Sequence, residues 1–505
     1  MSPSTILADT RPDTGYDRAK LANLPGGAFI EGQWQTADMT VEVRDPQDGL
    51  LVGRVCSSTP QDVRRAIAHV HRHLQVQEWP LRARREALEK AALLLSEQSA
   101  RFASIIAAES SKTITEAERE VRRCTETLRL SAAASAELAG ETLGFEDSMA
   151  GANKIGWYAR KPVGIIAAIT PFNDPLNLVA HKLGPALIGG NGVVLKPSTR
   201  TPLTGLAFVQ LLLEAGVPPG RIAAIVTGPG VSEALVTDPQ VDLISFTGGP
   251  VTAERIAVAA GSKKILSELG GNNATIVCAD ADAEAAARAI VAGAFGIAGQ
   301  NCLSVQRVYV HTSLFNEILE LVVRGTGALT TGPKLDRSTD VGPLISEAEA
   351  RRVEGVGEAK AAGATVHTGG QRQGAYYLPT VLADVASECR VIKEEVFGPV
   401  VSILPFIEVS DAIYAANDTE YGLQAGVFTR CIDLALAIAD KLHVGAVVIN
   451  ETSDVRIDSM PFGGFKKSGV GREGVRYAVH EMTEPKSTII NLAEKISGTS
   501  EWKTS

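Results

Sequence analysis

Two kinds of hydrophobic pattern divide the chain. Over residues 60–140 apolar residues recur every three or four positions (Ala66, Val70, Leu88, Leu93), which sets one face of successive helices against a core. Pro60 suits a helix start. Between Gly140 and Pro162 the pattern changes. Gly144, Gly151 and Gly156 interrupt it and Ile155-Gly156-Trp157-Tyr158 alternates, so the segment reads as a projecting hairpin. From Val163 onward, short continuous apolar runs alternate with helices. Strands are expected at 163–169, 192–196, 222–226, 243–246 and 264–267, with helices through Leu187 and over 202–215 among those between them. Strands apolar on both faces and separated by helices predict a doubly wound parallel sheet. A second series follows: a strand at 274–277, a long helix at 283–298, then strands at 305–310, 400–404 and 446–450. The change of unit falls near Gly270-Gly271. Ligands of such sheets bind beyond the carboxyl ends of the strands, where Asn173, Lys196, Thr247 and Glu268 stand. Glu268 and Cys302 then face each other across an interdomain cleft.

Composition narrows the class. The chain has 505 residues, 45% apolar and 21% charged, with a net charge of −9. That is enough for two or three domains of an ordinary globular protein, and it argues against broad binding to nucleic acid or acidic membrane. The first twenty residues are polar, with no secretory core, and no run approaches a membrane span. The six cysteines are scattered without a Cys-x-x-Cys pair, so free thiols in the cytoplasm are expected. The eight histidines show no ligand spacing, and no metal site is expected. No fixed-period repeat or low-complexity tract is visible.

Chemistry is concentrated in a few motifs. Gly299-Gln300-Asn301-Cys302 offers a thiol, Glu268-Leu269-Gly270-Gly271 a carboxylate and Thr170-Pro171-Phe172-Asn173 an amide. A thiolate adds to a carbonyl carbon, an amide N–H holds the oxyanion, and a carboxylate activates water: the parts needed to oxidise an aldehyde through a thioester. Taken alone, Cys302 is equally a small core residue. Phe246-Thr247-Gly248-Gly249 ends a strand and opens a helix, which suits a phosphate or an ordinary glycine turn. Lys196-Pro197-Ser198-Thr199 follows a strand, where a lysine reaches ribose or phosphate or is merely solvated. Glu394-Glu395-Val396-Phe397-Gly398-Pro399 is a cofactor contact or a surface turn. The glycine-dense stretch from Pro461 and Phe462 to Glu473 is an ordered functional loop or a linker.

With these motifs in this order, the chain resembles the NAD(P)-dependent aldehyde dehydrogenase superfamily over about residues 25–492. The resemblance implies an α/β fold with a Rossmann-type cofactor domain (25–140 and 163–270), a catalytic domain (271–450), an active-site loop returning to the cofactor domain (451–483), and a β oligomerisation arm (141–162 and 484–495, with a strand near 488–492) after an N-terminal tail (1–24). It implies Cys302 as nucleophile, Asn173 with the Cys302 N–H as oxyanion hole, Glu268 as base, and Lys182 and Glu473 as proton relay. It assigns the cofactor, NAD or NADP, to Thr170, Pro171, Phe172, Lys196, Ser198, Thr199, Thr247, Gly248, Gly249, Leu269, Gly270, Glu395 and Phe397. The partners implied are a small aldehyde and further copies of the chain, as homodimer or homotetramer.

Three departures stand out. Thr199 replaces the acidic residue that favours NAD, Gly249 replaces a serine, and Asp174 replaces an aromatic. Asn173-Asp174-Pro175-Leu176-Asn177 and Arg456-x-Asp458-x-Met460 resemble the lactaldehyde, non-phosphorylating glyceraldehyde-3-phosphate and phosphonoacetaldehyde dehydrogenases. Asp174, Asn301, Arg456 and Phe462 are therefore expected at the substrate, with Arg456 either facing it or pairing internally with Asp454 or Asp458. Asn301 stands where the phosphate-binding enzymes carry arginine, and Asp174 is expected to oppose a doubly charged phosphate. Both favour a small hydroxylated or singly charged aldehyde. The rival readings are acylation of coenzyme A, opposed by Glu268, and a non-enzymatic protein on the same fold.

Overall fold

The computed structural model describes Leu21, residues 24–37 and residues 39–492. Most of the expected N-terminal tail, and residues 493–495 of the expected arm, lie outside it.

Five parallel strands form the middle of one sheet: β1 (Ile165–Ile169), β2 (Gly192–Lys196), β3 (Ile222–Ala224), β4 (Leu243–Thr247) and β5 (Lys264–Glu268). Their order is β3-β2-β1-β4-β5, flanked by the antiparallel pair Phe29–Ile30 and Gln33–Trp34 on one side and Gly469–Val470 on the other. Alternate residues serve separate cores. Ile166, Ala168, Val193 and Leu195 join one cluster, and Ile165, Ala167, Ile169 and Val194 join the other. Both faces are covered by helices, which is why these strands read as unbroken apolar runs. Strand order reverses between β1 and β4, so the loops leaving their carboxyl ends part and open a crevice.

The second sheet contains β6 (Asn273–Val277), β7 (Val305–His311), β8 (Thr380–Ala383), β9 (Val400–Phe406), β10 (Gln424–Phe428) and β11 (Ala446–Ile449). Its order is Thr365–Thr368, β8, β9, β7, β6, β10, β11, and only the first strand is antiparallel. β8 and β10 are additions to the expected strands, as is the early hairpin of Thr40–Arg44 with Leu51–Cys56. The helical region 60–140 consists of Pro60–Val76, Leu81–Glu97, Ser99–Glu109 and α1 (Ile114–Ala133). α1 starts in a capping box, with Thr113 and Glu116 each satisfying the other's peptide N–H. Three further helices frame the site: α2 (Asn177–Gly189), α3 (Pro250–Ala260) and α4 (Ala283–Phe295).

α4 stops three residues before its expected end at Ala298. Ile297, Ala298 and Gly299 are left-handed (φ 53°, 52° and 70°), and the Ile297 N–H leaves the helix to donate to Glu116 Oε1 at 2.7 Å. This reversal turns the chain back towards Cys302. The expected hairpin is present, with Glu141–Leu143 paired to Lys154–Pro162. The late strand is longer than expected: Thr483–Asn491 pairs with the whole of Lys154–Pro162, so it starts five residues before position 488.

Gly299 combines a left-handed backbone with a close neighbour, since a Cβ there would stand 2.1 Å from the Gly398 carbonyl oxygen. Gly299→Ala should cost about 2 kcal/mol or more of stability, because neither atom belongs to a flexible side chain. It should also lower kcat by displacing Cys302. Chemical denaturation and a turnover assay check both.

Candidate active site

A four-residue crossing joins the two sheets and brings the chemistry together. Glu268 is the last residue of β5, and Asn273 the first of β6. The Gly271 N–H donates to Glu395 Oε1 at 3.0 Å, and the Gly271 carbonyl accepts from Gln306 Nε2 at 2.7 Å. The buried Arg307 guanidinium donates to the Asn272 carbonyl (2.6 and 3.2 Å). Asn273 Nδ2 donates to the carbonyl oxygens of Cys302 (2.8 Å) and Ser304 (3.0 Å). There is no room for side chains here. A Cβ on Gly270 would stand 2.1 Å from Glu395 Oε2, and one on Gly271 would stand 2.6 Å from the Cys302 carbonyl.

A cavity of about 590 Å³ opens at this junction. Most of the residues expected from the sequence line it. Pro171, Phe172, Asn173 and Asp174 come from the loop after β1, and Thr247, Gly248 and Gly249 from the loop after β4. Glu268, Leu269 and Gly270 come from the crossing, Asn301 and Cys302 from the turn after α4, and Glu395, Phe397, Arg456 and Phe462 from later loops. Lys182 and Glu473 lie buried behind the cavity. Thr170, Lys196, Ser198 and Thr199 stand outside it, at the ends of β1 and β2.

Burial pushes the Cys302 thiol up to about 12, against the pull of the Arg456 cation. The Cys302 side chain is thereby held as a thiol, with Sγ 3.8 Å from Asn301 Oδ1. Two donors stand beside it. Among the described residues the Cys302 peptide N–H makes no hydrogen bond. Asn173 Nδ2 donates to the Gln300 carbonyl at 3.0 Å, which orients its amide and leaves a second N–H.

Glu268 is buried, and among the described residues neither carboxyl oxygen has a partner within hydrogen-bond geometry. Burial, reinforced by the nearby Glu473 carboxylate, holds it well above the ordinary carboxylate range. Burial would raise Glu473 too, but Lys182 and Arg456 outweigh it and hold Glu473 down at about 2. Lys182 Nζ lies 2.8 Å from Glu473 Oε1 and 3.1 Å from Ser245 Oγ. Arg456 lies 3.0 Å from Glu473 Oε2 and stacks on the Phe462 ring at 3.9 Å. Phe462 and Glu473 are themselves joined by two backbone hydrogen bonds (2.9 and 2.6 Å). Two adjacent acids thus have opposite tendencies, an arrangement that suits a base poised to take a proton.

Arg456 has both expected faces. It lines the cavity, yet its near partner is Glu473, with Asp458 farther off at 3.8 Å and no ion pair to Asp454. Asp454 bonds Asn301 Nδ2 instead. Asp174 is not the free carboxylate expected to oppose a phosphate. Lys112 and Arg123 (3.6 Å) pair with it, and their charges overcome burial to hold it ionised. Lys112 also pairs with Glu120 at 2.6 Å, and Arg123 with Asp458 at 2.8 Å. Lys112, Arg119 and Arg123 line the cavity without having been singled out in the sequence. Arg119 and Arg123, four apart on α1, read there as an ordinary solvated helix face.

The crevice between β1 and β4 fits a dinucleotide. α3 starts at Gly249 with no side-chain cap, and a Cβ on Gly249 would meet nothing within 4 Å. Free peptide N–H groups beside open space suit a pyrophosphate. Lys196 is half-buried with no partner among the described residues, and burial lowers its pKa. Thr170 Oγ1 is buried without a hydrogen bond. Glu395 is raised to about 7 by burial, and Phe397 meets Phe172 edge-on at 5.9 Å. Lys196, the Gly248–Gly249 turn, Glu395 and Phe397 would hold NAD or NADP.

Comparison with known proteins identifies the family. The profile of the aldehyde dehydrogenase family matches residues 34–488. The chain is 42% identical to 3-sulfolactaldehyde dehydrogenase of Priestia aryabhattai, over 92% of this chain and 98% of that one. Aldehyde dehydrogenase 21 from Physcomitrella patens, solved with its reaction product succinate, superposes with a TM-score of 0.91 at 33% identity, covering 94% of this chain and 100% of the other. Glyceraldehyde-3-phosphate dehydrogenase GapN from Methanocaldococcus jannaschii, complexed with NADP, superposes with a TM-score of 0.87 at 37% identity, covering 90% and 100%.

Glu268→Gln keeps the shape but removes the base. Deacylation should slow by about 100-fold or more while hydride transfer slows less. Rapid mixing should show a burst of NAD(P)H followed by a slow steady state. Because the base must be ionised and its pKa is raised, wild-type deacylation should fall with decreasing pH well above the ordinary carboxylate range. That acid limb should be absent from the variant.

Proposed function

We propose that this chain, which belongs to the aldehyde dehydrogenase family, oxidises a short aldehyde carrying a negative charge or hydroxyls to its carboxylic acid. It is an NAD(P)-dependent aldehyde dehydrogenase, and what is proposed is its substrate, its residue roles, its cofactor preference and its assembly.

The observation that carries the substrate reading is the cationic side of the cavity. Arg119 is exposed at its wall and has no ion pair or hydrogen bond among the described residues, while Arg123 beside it is partly shared with Asp174 and Asp458. A guanidinium with open donors selects a carboxylate or sulfonate by paired hydrogen bonds. The relatives named for sulfolactaldehyde and solved with succinate support this choice. Asn301, tied to Asp454, presents no second cation near the nucleophile, which favours one negative charge over the two of a phosphate.

The residues act in sequence. As the Cys302 sulfur adds to the carbonyl carbon its proton passes to solvent water, and the developing oxyanion accepts hydrogen bonds from the Cys302 N–H and Asn173 Nδ2. Lys196, the Gly248–Gly249 turn, Glu395 and Phe397 would hold NAD(P)+, which would supply a hydride acceptor and so leave Cys302 carrying the acyl group as a thioester. Glu268 then takes a proton from a water that attacks the thioester, and Cys302 leaves as the thiolate. Glu473 and Lys182 stand behind Glu268 to pass the proton on. Arg456 keeps Glu473 ionised.

NADP is proposed as a usable cofactor, because Thr199 supplies no carboxylate to repel a 2′-phosphate. A homodimer or homotetramer is proposed for the assembly. Ile155, Trp157, Ile489 and Ile490 are exposed on the three-stranded arm, and a second copy of the chain would cover them. The cytoplasm is the proposed compartment, in keeping with six unpaired cysteines. No helix among the described residues is long and apolar enough to cross a membrane.

Arg119→Ala should raise KM for succinate semialdehyde, lowering kcat/KM about 10-fold, and leave hexanal unchanged. A steady-state panel of both aldehydes in both enzymes checks it; equal losses on the two would remove Arg119 from substrate binding. Thr199→Glu should move the NADP+/NAD+ ratio of kcat/KM towards NAD+ by about 10-fold or more, through repulsion of the 2′-phosphate. Measuring both cofactors at saturating aldehyde checks it.

A further inference from the structure

We propose that Asp454 determines specificity by accepting a hydrogen bond from a hydroxyl on the carbon next to the aldehyde. This rests on the reading that the aldehyde reacts at Cys302, and it is independent of the charge at the far end of the substrate.

Asp454 lines the same cavity as Cys302. Its backbone is held on both sides. Gln424 Nε2 donates to the carbonyl oxygens of Ser453 (2.9 Å) and Val455 (2.7 Å), and Ser453 Oγ donates to the Leu303 carbonyl at 2.8 Å. From behind, α4 approaches so closely that a Cβ on Gly293 would stand 3.1 Å from Asp454 Cβ. The side chain therefore has a fixed origin on a loop tied directly to the residue after the nucleophile.

Its two oxygens differ. Oδ1 accepts from Asn301 Nδ2. Oδ2 accepts no hydrogen bond among the described residues, and no cation is in contact with the carboxylate. Burial pushes this carboxyl up to about 7, while the Asn301 bond and the charges of Arg123 and Arg119 pull the other way. The Asn301 amide is thereby locked. With Nδ2 on Asp454, its Oδ1 accepts the Leu303 N–H at 3.1 Å and faces Cys302 Sγ at 3.8 Å. The open acceptor is thus one side chain away from the sulfur. When the carbonyl carbon is bonded to that sulfur, the next substrate atom out is C2. A carboxylate oxygen left without a donor once substrate fills the cavity discriminates strongly against a substrate that brings none. An aldehyde with a 2-hydroxyl supplies the donor, and its 2-deoxy analogue leaves the acceptor unpaired.

Lactaldehyde and propanal differ only in that hydroxyl, and both are uncharged. The wild-type enzyme should prefer lactaldehyde in kcat/KM by about 10-fold or more. In Asp454→Ala that ratio should fall to near one. Asp454→Asn keeps an oxygen for Asn301 Nδ2 but loses the charged acceptor, and it should lower the ratio by at least about threefold. The ratio is measured within one enzyme, so a variant that is merely less stable or has a displaced Asn301 loses both activities together and keeps its preference. A wild type without preference for lactaldehyde, or a ratio unchanged in either active variant, would overturn the proposal. Since neither aldehyde is charged, Arg119→Ala should leave this ratio alone; a preference for anions that failed in the Arg119 experiment would therefore not touch it.

Discussion

The crossing between the two sheets, residues 269–272, is the constraint on which the site depends. Its backbone polar groups lie outside both sheets and are met one by one: Leu269 and Gly270 by Ser468, Gly271 by Glu395 and Gln306, Asn272 by Arg307. Gln306 also accepts the Val396 N–H at 2.9 Å, so the same amide fixes the loop that carries Glu395 and Phe397. Asn273, the next residue, grips the Cys302 carbonyl. One short segment therefore sets the relative position of Glu268, Cys302 and the loop of Glu395 and Phe397. Its two glycines are required because backbone and carboxylate approach closer than any side chain permits.

From that segment outward, the ionised groups form an alternating line: Lys112, Asp174, Arg123, Asp458, Arg456, Glu473, Lys182. Each cation lies between carboxylates or ends the line, so no charge within the line goes uncompensated. Glu268 stands beside this line and takes no part in it as a hydrogen-bond partner. That exclusion makes it basic. The contrast between a fully paired Glu473 and an unpaired Glu268 arises from placement alone, since the two side chains are chemically the same.

The fold was legible where burial is symmetric. The parallel strands of the first sheet are covered on both faces and show as apolar runs, so β2 matched its expected limits and β1, β3, β4 and β5 lay within a few residues. β8 is four residues following Pro379, and β10 begins with Gln424 and includes Gly426; neither offers a long apolar run. The residues that line the cavity were legible where glycine, proline and an isolated reactive group cluster. Arg119 and Arg123 were not, because four-residue spacing on a helix is what any solvated face shows. Asp454 was recognised only as a possible partner for Arg456. Its bond to Asn301 spans 153 residues and has no local signature.

The strand Thr483–Asn491 has Lys154–Pro162 on one side and no neighbour on the other among the described residues. Its near end carries Pro485, which lacks a donor, and Lys486, which discourages a stacked neighbour. Its far end, with Ile489 and Ile490 exposed, has no such guard. A freshly folded chain is therefore adhesive at one end of one strand, and any extended apolar segment in its surroundings competes for that edge. Recovery of the protein after denaturation then becomes a race between folding within one chain and foreign pairing between chains, in which low total protein favours the former.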